Sequence, residues 1–299
     1  MDAPFGLNLN LGDSPLAAPL RDGRVSSSLV KLNFTGPHIA TQGFGPMVRE
    51  AAFDGGELAI GTFLQAWQYG KPLALLPAGI VSRFQHGLLV FDSRRRDTLG
   101  PADLGGARIG VRSYAQTTGL WLRGHLQDEY GVDLDSIRWV CTEGAHLAEY
   151  SDPARVERAP EGGSIDAMLV AGELDAAIPS PALLKDPAMR PVIAEPASAA
   201  IARFRAAHPG AMSVNHFFVV DRELFAARPD AVAELYRMLL QARQLAGLAA
   251  DDLPMGIAAV TPTLELAIRY AVEQKIIDRS VHVPDLFAPL PPALREIMA

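Results

Sequence analysis

The stretch Arg108–Val132, RIGVRSYAQTTGLWLRGHLQDEYGV, does most to limit what this chain can become. Its apolar opening, Ile109 to Val111, predicts a short strand. A hydroxyl-rich turn follows, with Ser113, Tyr114, Gln116, Thr117 and Thr118. Leu120, Trp121, Leu122 and Leu126 then mark a helix, and Gly131 stands where it should stop. A strand that feeds a Ser/Thr-rich helix start is receptive to anions. The first-turn N–H groups have no partner within the helix, the helix dipole favours negative charge, and hydroxyls add donors. Arg112 and Arg123 stand close by in sequence. The pattern points to a small carboxylate or phosphate as ligand. A plain capped helix of an α/β fold is the alternative reading of the same residues.

At 299 residues the chain is long enough to bury a large core and to form two lobes. A hydrophobic content of 49% with 20% charged residues describes a globular protein. The net charge of −7 excludes a broad nucleic-acid surface, which needs a basic face. It leaves room for a local basic pocket. The lone cysteine, Cys141, lies in the apolar run RWVC and reads as a buried, inert thiol. The opening MDAPFGLNLNLGDSPLAAPLRDGRV has no basic start, apolar core or cleavage site of a secretory leader, and no run is long enough to span a membrane. A cytoplasmic location is therefore expected if residue 1 is the native start, and a periplasmic one if a leader has been removed.

Strand-like and helical patterns alternate, which predicts an α/β fold. Strands are expected at Val30–Phe34, Glu57–Ile60, Leu73–Pro77, Gly87–Phe91, Ile137–Cys141, Leu174–Ile178 and His216–Val220. Helices are expected at Gly45–Ala52, Thr62–Tyr69, Ser164–Ala171, Ala231–Ala246 and Thr263–Lys275. Arg94, Arg95 and Arg96 read as a solvated loop face. The apolar strands Gly87–Phe91 and Phe217–Val220 flank a middle segment of about one hundred residues, a usual domain size. They are expected to lie side by side at a hinge. Residues 1–105 and 213–299 should then form one lobe and 106–212 the other, with a ligand cleft between lobes.

Six segments, in order, resemble the 4,5-dihydroxyphthalate decarboxylase family, which has a type 2 periplasmic-binding-protein-like fold. GDSPLAAPLRDGRV is similar to the family's G-D-x-x-x-x-x-L-x-D-G-R-V. FDGGELAIGTFL resembles F-D-x-x-E-L-S. PAGIVSRFQHGLLVF resembles P-x-F-x-S-R-x-F-R-H. The stretch from Leu104 to Val132 carries the W-x-R-G-x-L-x-x-E-Y-G-V pattern, the most specific of the set. MLVAGELDAAI matches M-L-x-x-G-E-I-D-A, and VNHFFVVDREL resembles M-H-x-x-x-I-x-x-x-L. The chain departs from the pattern at Gln85, at Thr117-Thr118 and at Asn215, and two of these changes adjoin His86 and His216.

The resemblance implies a cofactor-independent decarboxylase of an aromatic carboxylate such as 4,5-dihydroxyphthalate. Such a reaction calls for a cationic anchor, hydroxyl or amide donors, and a general acid that titrates near neutral pH. Arg83 is the best anchor, since guanidinium pairs bidentately with carboxylate. His216 and His86 are the candidate acid and base, because imidazole titrates in the useful range. Ser113, Tyr114 and Thr117, with Arg112, would receive a carboxylate. Trp121 reads as core. Each of these residues also has a plain structural reading: a surface ion pair for Arg83, and a satisfied core histidine for His86 or His216. Glu143, His146 and Glu149, at spacing three, have the composition of a metal site but no supporting motif, so no metal or other cofactor is expected. No dinucleotide, Walker, nucleophile-elbow or zinc-protease motif is present. The expected partner is a small anionic ligand, without nucleic acid or membrane; a homodimer is compatible with the sequence. The second functional reading is a solute-binding protein for a small carboxylate, serving a transporter or a sensor. Fold alone does not separate the two.

Overall fold

A computed structural model describes residues 3–299. The chain divides into two compact units. The first holds the residues up to Arg83 together with Gly210–Arg269 and Arg279–Ala299. The second holds Phe84–Pro209 and Tyr270–Asp278. Strands are numbered β1 to β11 in chain order.

The first unit is built on a five-stranded sheet of β1 (Phe5–Asn10), β2 (Val30–Phe34), β3 (Gly55–Ala59), β4 (Leu73–Ser82) and β11 (Val214–Asp221), in the order β2-β1-β3-β11-β4. β1 runs parallel to β2 and β3, and β11 runs antiparallel to β3 and β4. β3 is buried along its whole length, which suits a central strand. Helix Pro229–Leu245 packs an apolar stripe of Val232, Leu235, Tyr236, Leu239 and Ala242 and opens on a proline, which its first position tolerates. β4 is longer than the sequence suggests. The expected strand ends at Pro77, yet β4 runs through to Ser82. It lies at the sheet edge, where a missing N–H is tolerated. Its outer side is met by an incoming loop: Gly79 N–H donates to Pro254 O, and Gly256 N–H donates to Pro77 O.

The second unit has a six-stranded sheet in the order β10-β5-β9-β6-β7-β8. Its strands are β5 (Val90–Asp92), β6 (Arg108–Val111), β7 (Arg138–Cys141), β8 (Glu157–Arg158), β9 (Ala176–Ala177) and β10 (Met189–Pro191). β6 is parallel to β7 and β9, and β5 is antiparallel to β9 and β10. Val90, Val140, Ile165, Met168, Leu169, Leu174 and Met189 form one apolar cluster. Arg94 pairs with Asp92 and Asp186, Arg96 with Asp175, and Arg95 donates to Val170 O, so the triple arginine is a partnered loop.

Two expectations need correction. The run Gly87–Phe91 was expected to lie beside the His216 strand. Instead His86–Leu88 forms a 3-10 turn, and β5 joins the second sheet, where Val90 enters the apolar cluster. β4 takes the place beside β11. Residues 84–105 therefore belong to the second unit, as does the distant piece Tyr270–Asp278. The second correction concerns Glu143, His146 and Glu149. Their segment bends without forming a helix, and both glutamates are exposed, so the three share no helical face.

Helix Thr117–Tyr130 is the spine of the second unit. Residues Thr117 through Leu126 are all buried, so it is covered on every side along its first turns. Gly131 closes it in the left-handed region, at φ 65°. Gly124 faces Tyr270 so closely that a Cβ would stand 2.2 Å from the ring. Replacing Gly124 by Ala should therefore lower unfolding stability by about 1–3 kcal/mol through overpacking, measured by urea denaturation.

Candidate functional site

In the first unit, the paired strands β3 and β11 set Glu57 against His216. Phe218 is opposite Glu57 in register and His216 is opposite Ala59, so Glu57 and His216 are diagonal neighbours on one face. His216 Nδ1 lies 2.6 Å from Glu57 Oε2. The other carboxylate oxygen, Oε1, accepts from Gly12 N–H at 2.8 Å. Glu57 is buried, whereas the His216 side chain keeps 16% of its surface exposed. Phe44 stands nearly perpendicular to the imidazole, with centroids 5.1 Å apart at 85°. The β11–β4 register shifts on both sides of His216, while β11–β3 stays regular. Such irregularities re-aim side chains next to functional sites. Arg83 follows directly after β4. Its N–H donates to Ser213 O at 3.1 Å, and its side chain is exposed.

In the second unit, Ser113, Thr117 and Thr118 are buried at the start of helix Thr117–Tyr130. Gln116 occupies the N-cap position without making a side-chain cap. Tyr114 has its ring wholly in the core, edge-on to Trp139 at 6.3 Å, with the Arg123 guanidinium 4.1 Å from its centre. Arg112 reaches outward, 3.8 Å from Glu143. Arg123 is fully buried. It donates through Nε to Gln274 Oε1 and through Nη2 to the Tyr114 carbonyl, both at 2.7 Å. Trp121 is buried, as expected of a core residue. Cys141 is buried, and burial pushes its thiol up to about 12, which makes it unreactive.

His86 lies in the second unit, in the 3-10 turn before β5, whereas His216 lies on β11 of the first. Its Nε2 is 3.2 Å from Glu129 Oε2, and its ring stacks on His125 at 4.2 Å and 14°. His125 Nδ1 is 2.9 Å from Glu129 Oε1, one helical turn away. The three side chains are almost wholly buried. They have the donor set of a two-histidine, one-carboxylate metal centre, with ligand atoms within 4.8 Å of one another. In this arrangement both imidazole nitrogens face the Glu129 carboxylate. Nearby, Tyr270 OH donates to Asp128 Oδ2 at 2.8 Å, and His208 Nε2 is 3.5 Å from the same oxygen.

Reading from sequence missed Glu57, His125 and Glu129. A signal existed for each: an acid inside the apolar strand GGELA, and a His–Glu pair at i,i+4 on a buried helix.

Burial lowers the His125 imidazole to about 4, against the opposing pull of Glu129. Burial alone would raise Glu129, but the hydrogen bonds from His125 and His86 outweigh it and bring the carboxyl down to about 2. Between pH 6.5 and 4 the unfolded chain protonates His125 and the folded chain does not. Stability should fall across that window by on the order of 3 kcal/mol as pH drops. Glu129 has the depressed carboxylate's sign, and its contribution is lost only as pH falls further, toward 2. A His125→Gln variant should show a flatter stability curve from pH 6.5 to 4, checked by urea unfolding at stepped pH.

No family model matches the chain. It is 33% identical over 144 residues to a 4,5-dihydroxyphthalate decarboxylase of Comamonas testosteroni, which covers 44% of this chain and 42% of that protein. It is 29% identical over 186 residues to the 4,5-dihydroxyphthalate decarboxylase of Pseudomonas putida, covering 58% of this chain and 70% of the other. The match thus spans less than half of the Comamonas protein. Among solved structures, the alkanesulfonate-binding protein SsuA of Xanthomonas axonopodis pv. citri, bound to MOPS, aligns with a TM-score of 0.60 at 16% identity, over 96% of this chain and 99% of that one. The desulfurization enzyme DSZB aligns at 0.53 and 15% identity, over 99% of each chain. No helix among the described residues is long and apolar enough to cross a membrane. The chain is similar over part of its length to 4,5-dihydroxyphthalate decarboxylases, and its two α/β units have the fold of the alkanesulfonate-binding protein SsuA.

Proposed function

We propose that the protein is a cofactor-independent decarboxylase of an aromatic carboxylate, with 4,5-dihydroxyphthalate as the first substrate to try. The sequence relatives motivate the substrate class. The observation that carries the reading is the buried Glu57 bound to a partly exposed His216. An acid beneath an imidazole is the arrangement of a group that moves a proton, and plain anion binding has no need of it. In this reading His216 delivers a proton to the ring carbon that bears the carboxylate. A ring hydroxyl para to that carbon pushes electrons toward it. The carbon–carbon bond then breaks, its electron pair restores the aromatic ring, and carbon dioxide leaves. His216 regains its proton from solvent. Arg83, on the same unit, is the proposed carboxylate anchor, by bidentate pairing. The uncapped helix start at Ser113 and Thr117, with Arg112 nearby, is a second anion-receptive element.

His86, the other residue proposed for proton transfer at the sequence level, fits this role less well. It is buried against Glu129 and His125, and the stack accounts for it structurally. Tyr114 is likewise accounted for by its packing under Arg123.

The second reading is a solute-binding protein for a small carboxylate, and the sulfonate-binding proteins of the same fold favour it. The test is release of carbon dioxide from 4,5-dihydroxyphthalate and related aromatic acids, run beside calorimetric binding. His216→Asn should lower turnover about a hundredfold or more and change binding little. Arg83→Ala should weaken binding first, because an anchor acts in the ground state and the transition state alike. Tight binding by the unmodified protein without any carbon dioxide release would reject the enzyme and leave the binder.

A further inference from the structure

We infer that Glu57 is a positioning residue that holds the proton of neutral His216 on Nδ1, so that Nε2 is the atom that gives and takes the proton. The inference rests on the proposal that His216 is the general acid. Glu57 is the nearest acceptor to Nδ1, at 2.6 Å, and as a carboxylate it can only accept. A hydrogen on Nδ1 satisfies both groups. A hydrogen on Nε2 would instead leave a lone pair facing a carboxylate at that distance.

Three elements keep the carboxylate in place. β3 supplies its backbone, from the centre of the sheet. Gly12, in the loop after β1, donates its N–H to Oε1, which fixes the rotation of the carboxylate about its last bond. β11 brings His216 to Oε2 by regular pairing with β3. The imidazole is held as well. A half-turn about Cβ–Cγ would exchange Nδ1 for a carbon and forfeit the bond to Glu57. Phe44, packed at 85° to the ring, keeps one edge occupied. His216 thus has a set tautomer and a set orientation before any ligand arrives, which is the second-layer ordering that proton-transfer groups require.

The contrast with His125 supports the distinction. That imidazole also meets a carboxylate through Nδ1, but neither its side chain nor that of Glu129 is exposed. The Glu57–His216 pair joins a buried carboxylate to a ring that solvent can reach.

Long-range proton–nitrogen spectra of protein labelled with 15N-histidine test this directly. The His216 signals are those that vanish in His216→Asn. In the unmodified protein, neutral His216 should carry its proton on Nδ1. In Glu57→Gln, whose amide can donate to Nδ1, the population should move toward Nε2–H. Turnover should then fall about tenfold or more, with KM changing less than about threefold. An Nε2–H tautomer in the unmodified protein overturns the inference, and this measurement needs no variant of Glu57 to fold. An unchanged tautomer in Glu57→Gln overturns it too. An Nδ1–H tautomer that responds to Glu57→Gln, in a protein that releases no carbon dioxide, upholds the ordering by Glu57 while removing the decarboxylase reading.

Discussion

A guanidinium sealed from water sets the terms for the second unit. Arg123 has no exposed surface, and neutral acceptors and aromatic faces hold it. Its bonds run to the Tyr114 carbonyl at the head of the long helix and to Gln274, which in turn donates to Leu120 O. Tyr114 and Trp139 lie against its face. Burying a charge is costly unless hydrogen bonds offset it, so the Gln274 amide and the Tyr114 carbonyl must both be in place around the guanidinium. That requirement explains why a short piece late in the chain, Tyr270–Asp278, is part of a unit otherwise made from 84–209. It also ties the hydroxyl-rich turn before the helix to the core, since the Tyr114 carbonyl is one of the arginine's acceptors.

The same rule, applied to carboxylates, yields two different devices. The Glu57 and Glu129 side chains are both buried, and each is matched by imidazole. Glu129 meets two stacked rings and no water, so its cluster serves the fold and ties that unit's stability to pH. Glu57 meets one ring and one backbone N–H, and the ring retains contact with solvent. An ordered, reachable imidazole can do chemistry, and an ordered, unreachable one holds structure. On the other side of β11 the pairing with β4 is irregular, with register shifts on both sides of the His216–Val81 pair, while the pairing with β3 is regular.

Fold likeness carries no more than the scaffold. The structures that align over nearly the whole chain, at 16% and 15% identity, include a sulfonate-binding protein and a desulfurization enzyme. One scaffold therefore accommodates binding and catalysis, and the choice between them lies in a few side chains. On the proposed reading, the sequence relatives narrow the chemistry and the Glu57–His216 pair is where it takes place.

Much of the local structure was legible in the sequence, because it depends on short-range rules. Apolar runs gave β2, β6, β7 and β11. Ser164 and Gly172 bracketed one helix, and Gly131 ended another, because a cap and a left-handed residue act within a turn. The order of motifs gave the α/β class and the family resemblance. Sheet membership was not legible. Val90–Asp92 and Leu73–Ser82 are both apolar strands, and nothing in their periodicity says which partner each will meet; the packing of Val90 with Val140, Leu169 and Met189 decided it. The long reach of β4 depended on a loop 170 residues away that caps its outer side, as the Ser82–Asp252 contact shows. Side-chain partnerships followed the same division. His216 could be singled out by its residue type, but Glu57 became its partner only when β3 and β11 paired in register, since their 159-residue separation carries no local signal.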